Sequence, residues 1–257
     1  MRWGIKTVPG KRRFIMKTVI IVQARMTSTR LPGKVLKEVL DKPLLEYQIE
    51  RLQRIKSVDE IIIATTTNET DQPIVDLCNQ LSVSYFRGSE EDVLSRYHGA
   101  AEKYNADIVV RITSDCPVID PAVCEEAITY FLDNQDQYDY VRLEQYPRGL
   151  DAEIFSFKVL DECFREATEQ PDREHVTPFI YRHPERYRVK HMTCNEDYSH
   201  HRWTVDTPED FELVKRIIEE LYPIKQKFDF VDILDILEKY PDWYYINKTI
   251  RQKKYGE

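Results

Sequence analysis

The sequence predicts an α/β fold, a three-layer α/β/α sandwich around a mainly parallel sheet. Three observations point to it. Short apolar runs alternate with amphipathic stretches through the first half of the chain, the amphipathic stretches carry apolar residues at helical spacing, and unusual polar residues cluster where the apolar runs end. Helices on both faces of a parallel sheet leave the carboxyl ends of the strands as the place for ligands.

The elements follow in order. A strand in "TVIIVQA" precedes the helical "LLEYQIERLQRI", and "EIIIATT" precedes "DQPIVDLCNQL". In that second helix Ile74, Leu77, Cys78 and Leu81 fall at i, i+3, i+4 and i+7. "VSYF" comes next, then a helix with Val93, Leu94, Tyr97, Ala101 and Tyr104 on one face, then a strand over 107–112 in "DIVVRIT". The helical period returns in "PAVCEEAITYFL" with Val123, Ala127, Ile128 and Phe131, and Asp120 before Pro121 reads as its N-cap. From about Tyr138 the pattern is less regular: "YDYVR", "YPRGLDAEIF", a helix near 158–168 and the strand-like "RYRVKHM". Residues 171–201, rich in Arg, His and Tyr, read as an excursion from the sheet suited to pairing with a second subunit. A last strand, "HRWTVD", runs into "TPEDFELVKRIIEEL", with Thr207 as N-cap, Pro208 at N1 and Asp210 at N3. The tail "NKTIRQKKYGE" is basic and expected to fray.

A chain of 257 residues suits one large domain or one domain with an appendage. Residues 1–15 are unlike the rest, and Met16 directly before the first strand is a natural start, so 1–15 is expected to be a mobile extension or an upstream start. The main domain is expected over 16–221, with 138–201 as a substrate or dimerisation excursion and 222–257 as a helical appendage and tail.

A net charge of −8 with 32% charged residues lacks the basic footprint of a nucleic-acid binder. The five cysteines are scattered and never spaced C-x-x-C, which suggests reduced thiols rather than a disulfide frame or a zinc site. No apolar run approaches a membrane span, and the basic N-terminus lacks the apolar core of a signal peptide. A cytoplasmic enzyme or binding protein is expected.

Chemistry concentrates at the predicted strand ends. "VIIVQARMTSTRLPGKVL" leaves its strand into a loop carrying Arg25, Arg30 and Lys34, cations able to bind phosphate oxygens, though the loop matches neither the P-loop nor the Rossmann fingerprint. Asp115 follows the strand 107–112 and fits either a Mg²⁺ ligand or an Asx-turn. Asp206 repeats the arrangement, so the two carboxylates at neighbouring strand ends can hold one metal against bound phosphates. "RGLDAE" offers Gly149 for a tight turn and places Asp151 and Glu153 on one side of a strand, for sugar hydroxyls or a solvated face. "REHVTP" sets Arg173, Glu174 and His175 either in a substrate pocket or in surface pairs. His200 and His201, adjacent in a strand-like segment, should point to opposite faces.

The long signature A-R-x-x-S-T-R-L-P-G-K in the opening loop resembles that of the sugar-acid cytidylyltransferases of the 3-deoxy-manno-octulosonate type. With "FRGSEEDVLSRY", "RITSDCPVID", "GLDAE", "REHVTP" and "RWTVDTPEDF", the likeness runs from about Met16 to Leu221 and is strongest to the spore coat polysaccharide biosynthesis (SpsF) group. The resemblance implies a nucleotide-diphospho-sugar transferase fold and transfer of CMP from CTP to a sugar or sugar acid, with pyrophosphate released, in surface polysaccharide biosynthesis. It implies nucleotide binding by Gln23, Ala24, Arg25, Arg30, Lys34, Gly88 and Ser89, with Arg25, Lys34 and Asp115 catalytic. Asp115 and Asp206 correspond to the Mg²⁺ ligands; Arg148, Asp151, Glu153, Glu174 and His175 are substrate candidates; and a homodimer is implied. The octulosonate enzymes' Q-G-D-E-P is T-S-D-C-P here, so the nucleotide half of the likeness is the closer one. Two other readings remain open: a glycosyltransferase, against which stands the absence of any D-x-D, and a non-catalytic nucleotide-binding module, against which stand Asp115 and Asp206.

Overall fold

Alternate side chains of β1 (Thr18–Gln23) go to opposite faces of the sheet. Ile20 and Val22 enter one apolar cluster, Val19 and Ile21 another, and all four are fully buried. A strand buried on both faces requires helices on both, and the computed structural model, which describes residues 16–251, has them.

A small ribbon, β2 (Glu38–Val39) and β3 (Lys42–Pro43), stands apart from the main sheet. The main sheet adds β4 (Glu60–Thr66), β5 (Ser84–Gly88), β6 (Ile108–Thr113), β7 (Tyr140–Glu144), β8 (Glu153–Ser156) and β9 (Val189–Thr193) in the order β5-β4-β1-β6-β8-β7-β9. Pairing is parallel from β5 to β6, antiparallel where β8 meets β6 and β7, and parallel again between β7 and β9. One face carries α1 (Leu44–Leu52), α2 (Gln72–Leu81) and α4 (Pro121–Asp133); the other carries α3 (Val93–Lys103), α5 (Phe157–Glu166) and α7 (Pro178–Arg182). This is the α/β/α sandwich that the alternation predicts.

The predicted apolar faces are the buried ones. Ile74, Leu77 and Cys78 lie in the first cluster with Ala127, Ile128 and Phe131, whereas Val93, Leu94, Tyr97 and Ala101 lie in the second. Helix starts also agree. Asp120 accepts from the N–H groups of Ala122 and Val123, and Thr207 forms a reciprocal capping box with Asp210 at the start of α8 (Pro208–Leu221). A third cluster joins α8 and α9 (Phe230–Lys239) to Leu31, Tyr47 and Trp203.

Four expectations change. "HRWTVD" is not a strand: the N–H groups of Trp203 and Val205 go to the Arg148 and Asp115 carbonyls, and its one ladder contact is an isolated bridge, Arg148 to Arg202. Freed from strand alternation, His200 and His201 lie with ring centroids 4.3 Å apart and planes tilted by 38° instead of pointing apart. The 171–201 segment leaves the sheet only as far as α6 (Gln170–His175) and α7, then returns as β9 beside β7. The tail begins not as a frayed end but with buried Asn247, whose amide donates to the Arg202 carbonyl and to Asp210. The expectations for 1–15 and for the last six residues, 252–257, lie outside the described residues.

The chain lays β4 and β5 on one side of β1 and then places β6 on the other. That reversal opens a crevice beyond the carboxyl ends of β1 and β6. One floor of the crevice depends on Gly149, held at φ +104°, where an added Cβ would stand 2.7–2.8 Å from backbone atoms of Trp203 and Thr204. Gly149→Ala is therefore expected to cost about 1–3 kcal/mol in backbone strain alone. Urea unfolding of the variant measures it, and an unshifted midpoint would contradict the close approach.

Candidate active site

The loop after β1 is shaped before it is charged. Buried Asp71 accepts from the Met26 N–H at 2.7 Å, and the Gly33 N–H donates back to the Met26 carbonyl at 2.8 Å. Gly33 at φ +67° then turns the chain into a 3-10 segment, Lys34–Leu36, in which Val35 is buried. With Val35 anchored, Lys34 extends across the crevice. Its Nζ lies 2.8 Å from Asp206 Oδ1 and 3.5 Å from Asp115 Oδ2. Arg30 reaches the other oxygen of Asp206 at 3.0 Å, and Arg25 stays at the rim, 3.3 Å from Glu90.

Thus residues 81 and 172 positions apart from Lys34 meet at one ammonium group. Asp115 is set by its surroundings: the Thr113 hydroxyl donates to its carboxylate, and its carbonyl accepts from the Val205 N–H at 2.8 Å and the Thr204 hydroxyl at 3.0 Å. Burial pushes the Asp115 carboxyl up, but the Lys34 charge and the Thr113 hydroxyl outweigh it and hold the group down at about 2. Burial likewise works against the charge on Lys34, and Asp115 and Asp206 together overcome it, so that the ammonium is held above its ordinary range.

Asp206 is fixed from behind. Arg202 donates to Asp206 Oδ2 at 2.8 Å and to both oxygens of Asp210 at 2.8 and 2.9 Å. Fully buried Asp210 also accepts from the Asp206 and Thr207 N–H groups and from the Asn247 amide. Sequence reading saw Asp210 only as the third residue of a helix; its burial against Arg202 leaves no trace in local spacing. Asp71 was missed for the same reason.

Two cavities meet here. The larger, about 600 Å³, is lined by Gln23, Ala24, Arg25, Arg30, Lys34 and Glu174 among others; the smaller, about 280 Å³, by Arg148, Asp151 and Glu153. Gln23, Thr113, Asp115, His175 and Asp206 line both. Glu153 is already engaged, with Arg111 at 2.5 Å and the Tyr140 hydroxyl at 2.6 Å, and Asp151 precedes β8 rather than sharing a strand with it. Gly88 and Ser89 line neither cavity. They pack on Arg96, which donates to the Ser89 carbonyl at 2.5 Å, and Glu90 and Glu91 of the same loop reach the larger cavity instead.

Among the described residues no three His, Cys, Asp or Glu side chains are grouped to hold a metal. Asp115 and Asp206 nevertheless suit Mg²⁺, a hard cation that takes one or two carboxylates and completes its shell with phosphate oxygens and water. No helix of the described residues is long and apolar enough to cross a membrane.

Comparison with known proteins bears on this geometry. A family model described as Cytidylyltransferase matches residues 19–238. The uncharacterized protein MJ1063 of Methanocaldococcus jannaschii is 40% identical over 94% of this chain and 99% of its own length. The spore coat polysaccharide biosynthesis protein SpsF of Bacillus subtilis is 32% identical over 87% of this chain and 95% of its own. The solved structure of a cytidylyltransferase from Leptospira borgpetersenii superposes with a TM-score of 0.87 at 34% identity, covering 92% of this chain and all of that one.

Because the Asp115 carboxyl is held below its unfolded value, its contribution to stability is present above about pH 4 and is lost as pH falls from there through about 2. Asp115→Asn is expected to flatten stability over that window, as read from unfolding midpoints across pH 2–5; an unchanged acid slope would remove the Lys34 pairing from the account. Asp210→Ala leaves the buried Arg202 with one fewer carboxylate and strips the acceptor from the Asp206 and Thr207 N–H groups and the Asn247 amide, and is expected to cost about 3–5 kcal/mol in chemical unfolding.

Proposed function

Since the chain belongs to the cytidylyltransferase family and is a CTP-dependent nucleotidyltransferase, we propose that it transfers CMP from CTP to a sugar or sugar-acid acceptor in surface polysaccharide biosynthesis. The observation that carries this reading is the meeting of two cavities at Asp115 and Asp206: one with a cationic loop for a triphosphate, the other for an acceptor. An acceptor hydroxyl oxygen would attack the α-phosphorus of CTP. The bond from that phosphorus to the bridging oxygen breaks, pyrophosphate departs, and the hydroxyl proton passes to solvent.

The chain's own contribution is position and charge. Lys34 and Arg25 sit where they can neutralise negative charge as pyrophosphate separates, and the acceptor is held in line from the smaller cavity. Asp115 and Asp206 would hold Mg²⁺, which when bound supplies positive charge to the phosphate oxygens. In the absence of nucleotide Lys34 keeps the two carboxylates together, which prevents their mutual repulsion.

The smaller cavity sets guanidinium groups beside carboxylates, which suits an acceptor carrying both an acidic group and hydroxyls. Among the described residues the Arg142 and Arg148 guanidinium groups that line it make no ion pair, and the nearby Asp151 offers an acceptor for hydroxyls. Glu174 and His175 stand at the junction from the α6 side. A homodimer and a cytoplasmic location complete the proposal; gel filtration with light scattering tests the first.

Thermal stabilisation by each of the four NTPs with Mg²⁺ is the first experiment, with a shift of about 2.7 kcal/mol expected for CTP at ~100 Kd. Pyrophosphate release should then appear with CTP and an acidic sugar. Asp115→Asn is expected to lower kcat by about 10²-fold or more, and comparable turnover in the variant would refute its assignment. Arg142→Gln should raise KM for the acceptor and leave KM for CTP unchanged, and the reverse pattern would place Arg142 with the nucleotide.

A further inference from the structure

Beyond residue 238, where the match to the family model ends, the chain turns through a 3-10 segment, Pro241–Tyr245, and sends one polar side chain back into the interior. Tyr245 is 63% exposed and Lys248 and Thr249 are exposed, whereas Asn247 is only 3% exposed. Its amide nitrogen donates to the Arg202 carbonyl at 2.8 Å and to Asp210 Oδ1 at 2.9 Å. An amide is costly to bury unless its donors are satisfied, so a sealed-in Asn with both donors on one corner of the fold is placed by what it binds.

That corner is the one that holds Asp206. Residues 202–206 take no ladder from the sheet beyond the bridge at Arg202, so scattered contacts set their place. Asn247 supplies two of these. It pins the main chain at the Arg202 carbonyl, the head of the segment from which Asp206 hangs. It also completes the Asp210 carboxylate: Oδ1 accepts from Arg202 Nε and Asn247, and Oδ2 accepts from Arg202 Nη2 and the Asp206 and Thr207 N–H groups. Gripped along one edge by that carboxylate, the Arg202 guanidinium presents Nη2 to Asp206 Oδ2 at 2.8 Å. A continuous path of buried hydrogen bonds thus leads from the tail of the chain to Asp206.

We propose that Asn247 is a positioning residue for the metal site: through Asp210 and Arg202 it fixes the Asp206 carboxylate beside Asp115, so that chain outside the family match completes the active site. This rests on the reading of Asp115 and Asp206 as the Mg²⁺ ligands and adds what orients one of them. Without Asn247, Asp210 loses a donor, the Arg202 carbonyl loses its anchor, and Asp206 is left to follow Lys34 and Arg30, which hold it from the loop after β1. Groups that orient a ligating side chain change metal affinity by about 10–100-fold when removed.

The test measures CTP binding to the full chain by calorimetry, with and without Mg²⁺, in wild type, Asn247→Leu, Asn247→Asp and Asn247→Ser. Leucine fills the space and removes both donors, and aspartate keeps the shape but sets a second carboxylate against Asp210. Serine retains one hydroxyl donor and carries the comparison if the larger changes unfold the chain. The Mg²⁺ concentration needed for half of the metal-dependent gain in CTP affinity should rise about tenfold in Asn247→Leu, more in Asn247→Asp and less in Asn247→Ser. Metal-free CTP affinity should stay unchanged, and excess Mg²⁺ should restore turnover. A lowered unfolding midpoint with an unchanged Mg²⁺ requirement in the folded variants would reduce Asn247 to a stabilising contact and overturn the assignment, as would an equal loss of CTP affinity with and without Mg²⁺. Wild type whose CTP binding ignores Mg²⁺ would instead overturn the reading on which it rests.

Discussion

The site depends on a chain of buried charges that runs from Asp210 through Arg202, Asp206 and Lys34 to Asp115. Alternating signs make it self-supporting: each carboxylate in the interior is offset by a cation that is itself held by a second carboxylate. The chain of charges ties α8 to two strand ends that the β1–β6 ladder already sets side by side. Asp210 belongs to α8, Asp115 to the end of β6, and Lys34 to the loop after β1. Ion pairs of this kind are weak evidence for stability and better evidence for position, because breaking one leaves a buried charge whose cost enforces the geometry.

Position is what nucleotidyl transfer requires. There is little covalent work for the protein to do, so the reaction rests on aligning an acceptor with the α-phosphorus and on placing positive charge where pyrophosphate leaves. The arrangement of the two cavities serves this. They share Gln23, Thr113, Asp115, His175 and Asp206, so that anything bound in one meets anything bound in the other beside the same two carboxylates. The sheet order places that junction at the reversal between β1 and β6, where the helices diverge and the strand ends are open.

Charge also accounts for the asymmetry between the two cavities. In the larger cavity Arg30 and Lys34 are both paired with Asp206. In the smaller cavity Arg111 is tied to Glu153, and among the described residues Arg142 and Arg148 make no such pair.

Much of the frame was legible in the chain itself. Short continuous apolar runs place β1, β4 and β6, and a period of 3.6 residues places the buried faces of α2, α3 and α4, because each element must bury one face or both whatever its neighbours are. Local capping chemistry likewise set the starts of α4 and α8 at Asp120 and Thr207. The signature of the opening loop singled out Lys34, and strand-end logic singled out Asp115 and Asp206. Tertiary structure alone decided that these three meet, that Asp210 and Asp71 hold them there, and that "HRWTVD" gives up a ladder to hang Asp206 beside Asp115. The physical reason is range: burial patterns and caps act between residues a few positions apart, whereas an ion pair between positions 34 and 206 exists only after the sheet has brought its strand ends together.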